Sequence, residues 1–145
     1  MGQFMANDGG DFARSMGIAT SGLRAQAGRM RVISENIANA DSTASTAGGE
    51  PYRRKVPTFS SELDRTLDAK LVTLGKVRPD PSAFRVKYEP SNPAADPAGN
   101  VKYPNVNPLI EMTDMREAQR SYEANLNIIS ATRRMIQRTL DILKA

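Results

Sequence analysis

The sequence predicts a mainly α fold in which two long terminal helices bracket a small β- and loop-rich middle insertion. Three observations predict it. All nine prolines lie between Pro51 and Pro108, and proline breaks helix interiors. The segments on either side carry apolar residues at alternating spacings of three and four, which mark one face of a helix. The apolar supply is thin: 39% hydrophobic residues, no Trp, 4 Phe and 4 Tyr in 145 residues, so helices of that length keep faces that the chain alone cannot cover. The organisation that follows is an N-terminal segment over 1–42, a middle region over 43–107 and a C-terminal helix over 108–145.

The N-terminal helix is expected from about Asp11 to Ala40. Its stripe runs Met16, Ala19, Leu23, Gln26, Met30, Ile33, Ile37 and Ala40, apolar but for Gln26, a coiled-coil-like seam. Asn39, Asp41 and Ser42 mark its end, because their side chains compete for backbone hydrogen bonds. Met1 to Asp11 reads as a leader before it. Gly17, Gly22 and Gly28 interrupt the helix, each costing about 1 kcal/mol against Ala. Small residues at those positions let neighbouring helices approach closely and leave the helix weak until it is packed.

The C-terminal helix is the stronger of the two. Asn107 is a good cap and Pro108 a good first helical residue. The stripe Met112, Met115, Gln119, Tyr122, Leu126, Ile129, Arg133, Ile136, Leu140 and Leu143 is apolar at all but two positions. Two helices alone form a poor core, so packing into a larger assembly fits better than a self-contained hairpin. The residues expected to bury between helices, within and between subunits, are Leu23, Met30, Ile33, Ile37, Met115, Tyr122, Leu126, Ile129, Ile136 and Leu140.

In the middle region, β-like runs occur at Tyr52–Phe59, Leu71–Val77 and Phe84–Tyr88. Ser60–Lys70 is alternatively a short helix capped by Ser61. The prolines at 90, 93, 97 and 104 argue for an extended arm from there to Asn107.

Composition excludes most chemistry. With no His and no Cys, Ser-His-Asp and Cys-His nucleophilic systems and the usual zinc sites are impossible. No phosphate-binding glycine loop is present. No catalytic residue, metal site or cofactor is expected. Glu111, Asp114, Glu117 and Glu123 suit the positive end of a helix dipole as solvated or capping groups. Arg53, Arg54 and Lys55 form a basic triplet, and Arg133, Arg134 and Arg138 a looser one. Both are expected to serve solubility and ion pairing between subunits. The competing function is an amphipathic-helix module that binds a membrane surface or nucleic acid through Arg133, Arg134 and Arg138. No apolar run approaches the roughly 20 residues that span a bilayer, and the start lacks the regions of a cleavable signal peptide.

Two segments carry a resemblance. Ser21-Gly-Leu-Arg-Ala-Gln26 followed by Val32-Ile-Ser-Glu-Asn-Ile-Ala-Asn-Ala-Asp41 resembles the N-terminal signature of bacterial flagellar rod and hook proteins. Glu111-Met-Thr-Asp-Met-Arg-Glu-Ala-Gln-Arg-Ser-Tyr-Glu-Ala-Asn125 resembles their C-terminal signature. Within that family the short length and the stretches Val86–Asp96 and Gly99–Asn107 are most like a proximal-rod subunit, although Asn100 stands where an aromatic is expected. The resemblance marks Asn36, Asn39, Glu111, Met112, Tyr122 and Asn125 as motif residues. It implies terminal helices paired as a coiled coil and helical self-assembly into a hollow drive shaft that crosses the periplasm and transmits torque. The implied partners are other copies of the chain, other rod proteins, the adaptors joining rod to membrane ring, and the flagellar type III export apparatus. Export without a cleaved signal would suit a helix that orders only on assembly.

Overall fold

The computed structural model describes residues 2–145, with side chains from Gly9 onward. Helix α1 (Gly2–Ala38) is followed by six short strands and helix α2 (Pro108–Lys144). The strands are β1 (Lys55–Val56), β2 (Phe59–Asp64), β3 (Ala69–Leu74), β4 (Arg78–Pro79), β5 (Arg85–Tyr88) and β6 (Asn100–Tyr103). They pair as three separate two-stranded antiparallel sheets, β1 with β4, β2 with β3 and β5 with β6. Each helix has 37 residues, about 55 Å of rise. Two terminal helices around a β-rich middle are therefore observed. The chain divides into two compact units, Met1–Arg29 with Phe59–Gly75 and Glu117–Ala145, and Met30–Thr58 with Lys76–Arg116.

In the first unit α1 is covered on two sides. One side meets α2: Arg29 pairs with Glu117 at 3.5 Å, and a Cβ at Gly22 would lie 2.8 Å from the Asn125 amide nitrogen. Met16 and Ile136 line one shallow cleft, so the helices run antiparallel there. The other side carries the β2–β3 hairpin. A Cβ at Gly17 would strike Leu67, and one at Gly28 would lie 2.7 Å from a Leu74 methyl. Only Gly22 of the three admits a helix, then; Gly17 and Gly28 admit strand and turn residues. The Ser21 hydroxyl accepts the Val72 N–H at 3.1 Å and Arg14 Nε donates to the Leu67 carbonyl at 2.9 Å, tying the hairpin to α1.

The hairpin replaces the helix considered for Ser60–Lys70. Asp64 Oδ1 accepts the N–H groups of Thr66 and Leu67, building an Asx turn. Asp68 takes the left-handed conformation at φ 48°, which Asp tolerates better than most residues. Local turn chemistry thus outweighs the helical spacing of Leu63 and Leu67.

In the second unit, Asn107 caps α2 as expected: its side-chain oxygen accepts the Leu109 N–H at 3.1 Å, with Pro108 first in the helix. The extended arm does not form. Residues 89–100 fold into tight turns instead, with Asp96 Oδ1 accepting from the N–H groups of Ala98 and Asn100, and Gly99 at φ 85°. The chain then re-enters a sheet as β6. Proline blocked regular structure, as the sequence predicts, but the Asx residues between the prolines closed turns that spacing alone does not reveal.

The core is built from small groups: Ala19, Ala25, Ala69 and Ala118 are buried in the first unit, and Val32, Ile33, Ala40, Ala94, Val101 and Val106 in the second. Among the largest fully buried side chains are two polar ones, Glu111 and Asn36. The N-terminal boundary also moves. The leader expected over Met1–Asp11 is helical from Gly2, while Met1 itself lies outside the described residues.

Candidate functional site

The second unit contains a polar clasp. Asn36 stands in the last turn of α1 and is fully buried. Its Nδ2 donates to the Lys55 carbonyl at 2.8 Å and to Glu111 Oε2 at 3.1 Å. Its Oδ1 accepts from the Tyr52 hydroxyl at 2.8 Å and the Lys55 N–H at 2.9 Å. Two donors and two lone pairs are all used, the full capacity of a side-chain amide. By binding both backbone groups of Lys55, Asn36 acts as a strand partner for β1.

Glu111 in the first turn of α2 is also fully buried, contrary to the solvated role expected of it. Arg54 Nε donates to Glu111 Oε1 in a short ion pair, and its NH groups reach Asp80 at 3.3 Å and Asp114 at 3.8 Å. A buried carboxylate requires such a partner, because desolvation otherwise costs several kcal/mol. Although burial opposes its charge, hydrogen bonding to Glu111 and the Glu111 and Asp80 charges raise the Arg54 pKa. The Tyr52 phenol is pushed up to about 12 by burial, and further by the charges of Glu35 and Glu111. Asp80 lies below the usual carboxylate range, chiefly because Ser82 backbone and side chain hydrogen-bond to it.

The basic triplet is therefore consumed within the chain. Arg53 donates to the carbonyls of Asp80 and Ser82 and stacks at 4.1 Å on the Phe84 ring; Lys55 pairs with Glu35. Asn105, which sequence reasoning missed, fastens the same loops. It accepts the Arg54 N–H at 2.8 Å and donates to Asp80 and Ser82. Its signal is weak, since an Asn between prolines reads as an ordinary turn. Asn39 donates to the Glu35 carbonyl and accepts from Ser42, closing α1.

The second feature is the apolar surface of α2. On the N-terminal helix, Leu23, Met30, Ile33 and Ile37 are all at least half-buried. On α2, Met115, Tyr122, Ile129 and Ile136 face inward, but the alternate positions are displaced by one residue. The covered face reads Glu111, Met115, Ala118, Tyr122, Asn125, Ile129, Thr132 and Ile136. Met112, Leu126 and Leu140, expected on the seam, are exposed within the chain. Leu143, also on the expected stripe, is exposed near the end of α2, and Ile128, Met135 (55% exposed) and Ile142 (75%), spaced by seven, line another side of the helix in the first unit. In the second, Leu109 (73%) and Ile110 are exposed beside Met112. Apolar side chains gathered so densely on one solvent-facing helix mark an interaction surface.

Among the described residues no group of acidic, His or Cys side chains converges to hold a metal, and no helix is long and apolar enough to cross a membrane. A fully bonded clasp and an outward apolar helix face have the character of a subunit that is finished by its neighbours.

Comparison with known proteins gives the family. The model for "Flagella basal body rod protein" matches residues 16–44, and that for "Flagellar basal body rod FlgEFG protein C-terminal" matches residues 98–142. These are the segments that carry the two sequence signatures. The flagellar basal-body rod protein FlgC of Agrobacterium fabrum is 56% identical over 128 residues, covering 88% of this chain and 92% of the relative. Its namesake in Bacillus subtilis is 39% identical over 145 residues, covering 90% and 97%, and that of Salmonella typhimurium 37% over 125 residues, covering 86% and 92%. The chain belongs to the FlgC family of structural flagellar basal-body rod proteins.

Proposed function

We propose that this chain is a structural subunit of the proximal rod, assembling helically with its own copies and other rod proteins into the periplasmic drive shaft, and transmitting torque without catalytic turnover. The observation that carries this reading is the run of exposed apolar side chains on α2, set on a chain of this family. Left in water such a surface is a liability; covered by a neighbour it stabilises at roughly 25 cal/mol per Å² of apolar area.

In this reading the terminal helices, 1–42 and 108–145, form the inner coiled coil and 43–107 lies outside it. Leu23, Met30, Ile33, Ile37, Met115, Tyr122, Ile129 and Ile136 hold the helices of one subunit together, while Leu126 and Leu140 turn toward neighbours. The motif residues divide similarly: Asn36, Asn39, Glu111 and Asn125 organise the subunit, and Met112 faces outward. Partners include the rod–ring adaptor proteins and the type III export apparatus, which passes the chain to the periplasm without a cleaved signal. The decisive experiment is complementation. In a strain lacking its own copy, the chain is expected to restore swimming and to appear in purified basal bodies. Motile cells whose basal bodies lack the chain would overturn the proposal.

A further inference from the structure

We infer that the free edge of β2 receives β5 of a second copy, joining subunits by strand addition in a fixed antiparallel register. The inference extends the self-assembly part of the proposed function to a contact made by the middle region rather than by the helices.

Among the described residues both edges are unpaired, and their backbone directions follow from the pairing. The Val72 N–H points away from β2, toward Ser21. Val72 pairs with Ser61, so Phe59, Ser61 and Leu63 point their N–H and C=O groups to the unpaired side of β2. On β5, the Glu89 N–H points inward to Gly99. Alternation then turns the backbone groups of Val86 and Tyr88 to the open side. All four β5 residues are exposed, as are the first five of β2, including Leu63 (59%), Val86 (58%) and Tyr88 (72%). Natural edges are usually blunted by proline, a bulge or charged side chains; β2 has no proline and no bulge, and its charges are acidic only.

Charge selects the partner. β2 carries only acidic charges, Glu62 and Asp64, and β5 only basic ones, Arg85 and Lys87. Pairing β2 with β2, or β5 with β5, gives neither strand an opposite charge to meet, and the registers that set like charges directly opposite are unfavourable. Pairing β2 with β5 in the register Ser61 to Tyr88, Leu63 to Val86, Glu62 to Lys87 and Asp64 to Arg85 satisfies every condition together. The outward backbone groups meet at the first two pairs, the apolar Leu63 meets Val86, and both remaining pairs join opposite charges. The Arg85 guanidinium is already engaged by the carbonyls of Ala40 and Pro104, so Glu62 with Lys87 is the pair to test. The Lys87 ammonium, 4.7 Å from the Tyr103 ring centre, has no carboxylate partner among the described ion pairs. Because the two edges differ, the contact is head-to-tail and passes from copy to copy.

The chain has no native cysteine, so introduced thiols are the only ones. Glu62→Cys and Lys87→Cys would face each other in a non-hydrogen-bonded pair, with Cα atoms about 4.5 Å apart, within reach of a disulfide. Full-length chain carrying both, oxidised in isolated basal bodies, is expected to give a ladder of cross-linked copies, and either substitution alone none. No ladder, or dimers from Glu62→Cys alone, would overturn the inference. The same oxidation of concentrated purified chain, with the same outcomes, separates this contact from the rod assignment. Charge reversal covers the case in which the thiol variants fail to assemble. Glu62→Lys and Lys87→Glu should each lower swimming or self-association about five-fold, and the double reversal should restore it. Singles without effect, or a double no better than its singles, would overturn it equally.

Discussion

The Asn36 amide donates to the Glu111 carboxylate at 3.1 Å, joining the last turn of α1 to the first turn of α2 with both side chains fully buried. Seventy-five residues separate them in sequence, and they are among the largest fully buried groups of an otherwise Ala- and Val-rich interior. With so little apolar volume to fix the helix ends, directional bonds specify their register.

Removing the counter-ion of Glu111 should be costly. Arg54→Met leaves a buried carboxylate with only the Asn36 amide, and breaking a buried pair in this way costs about 3 to 5 kcal/mol. Urea unfolding should show a correspondingly lower midpoint. Glu111→Gln, which keeps the shape and removes the charge, should cost less than Arg54→Met.

Asn36→Asp changes the clasp by one atom. It deletes the donors to Glu111 and Lys55 and sets a second carboxylate beside Glu111, with a loss of at least about 2 kcal/mol at pH 7. Two adjacent carboxylates hold a proton that the unfolded chain releases, so the folded state binds more protons and the variant should regain stability as pH falls. Thermal melts at pH 7 and pH 5 read the difference; the parent chain should not gain on acidification.

Tyr52 gives an alkaline signature. Its phenol is raised to about 12, whereas an unfolded tyrosine ionises near 10. Between these values the unfolded chain has lost the proton that the folded chain keeps. The contribution is complete below about pH 10 and is lost as pH rises toward 12. Phenolate absorbance of the folded chain should show Tyr52 ionising late, and Tyr52→Phe should remove that share of the late absorbance, leaving Tyr103, which its hydrogen bond to Glu89 also raises, with about 1 kcal/mol lost with the hydrogen bond to Asn36.

The helical glycines should separate by position. A Cβ at Gly10 meets nothing within 4 Å, so Gly10→Ala should stabilise α1 by about 0.5 to 1 kcal/mol. At Gly22 the same methyl would press on the Asn125 amide, which is held by the Ser121 carbonyl at 3.0 Å. Gly22→Ala should therefore lose that gain and destabilise the chain, as a melt followed by circular dichroism would show.

The long helices, the cap at Asn107 and the inward stripe of α1 were legible because periodicity and capping are local. On α2 the same reasoning misjudged alternate positions by one residue. The face that meets α1 is half small or polar, with Glu111, Ala118, Asn125 and Thr132 inward, because α1 presents Gly22 and the amide of Asn36 to it. Hydrophobicity therefore pointed to Met112 and Leu126, which stay about half exposed beside the covered face. The clasp was illegible for a similar reason: carboxylates and guanidinium groups default to solvent, and Arg54 meets Glu111 only after fifty-seven residues of chain. In the middle region, Asx turns at Asp64 and Asp96 redirected segments whose spacing suggested a helix and an extended arm.

The most direct test of the account charges the outward face of α2 without touching the inward one. Met135→Asp with Ile142→Asp alters two exposed side chains, so the purified chain should keep its helicity and melting behaviour. In a strain lacking its own copy, this variant should be made and exported yet build no rod, leaving cells without hooks and immotile. Normal rods and swimming from that variant would contradict the claim that this apolar face is where neighbouring subunits bind.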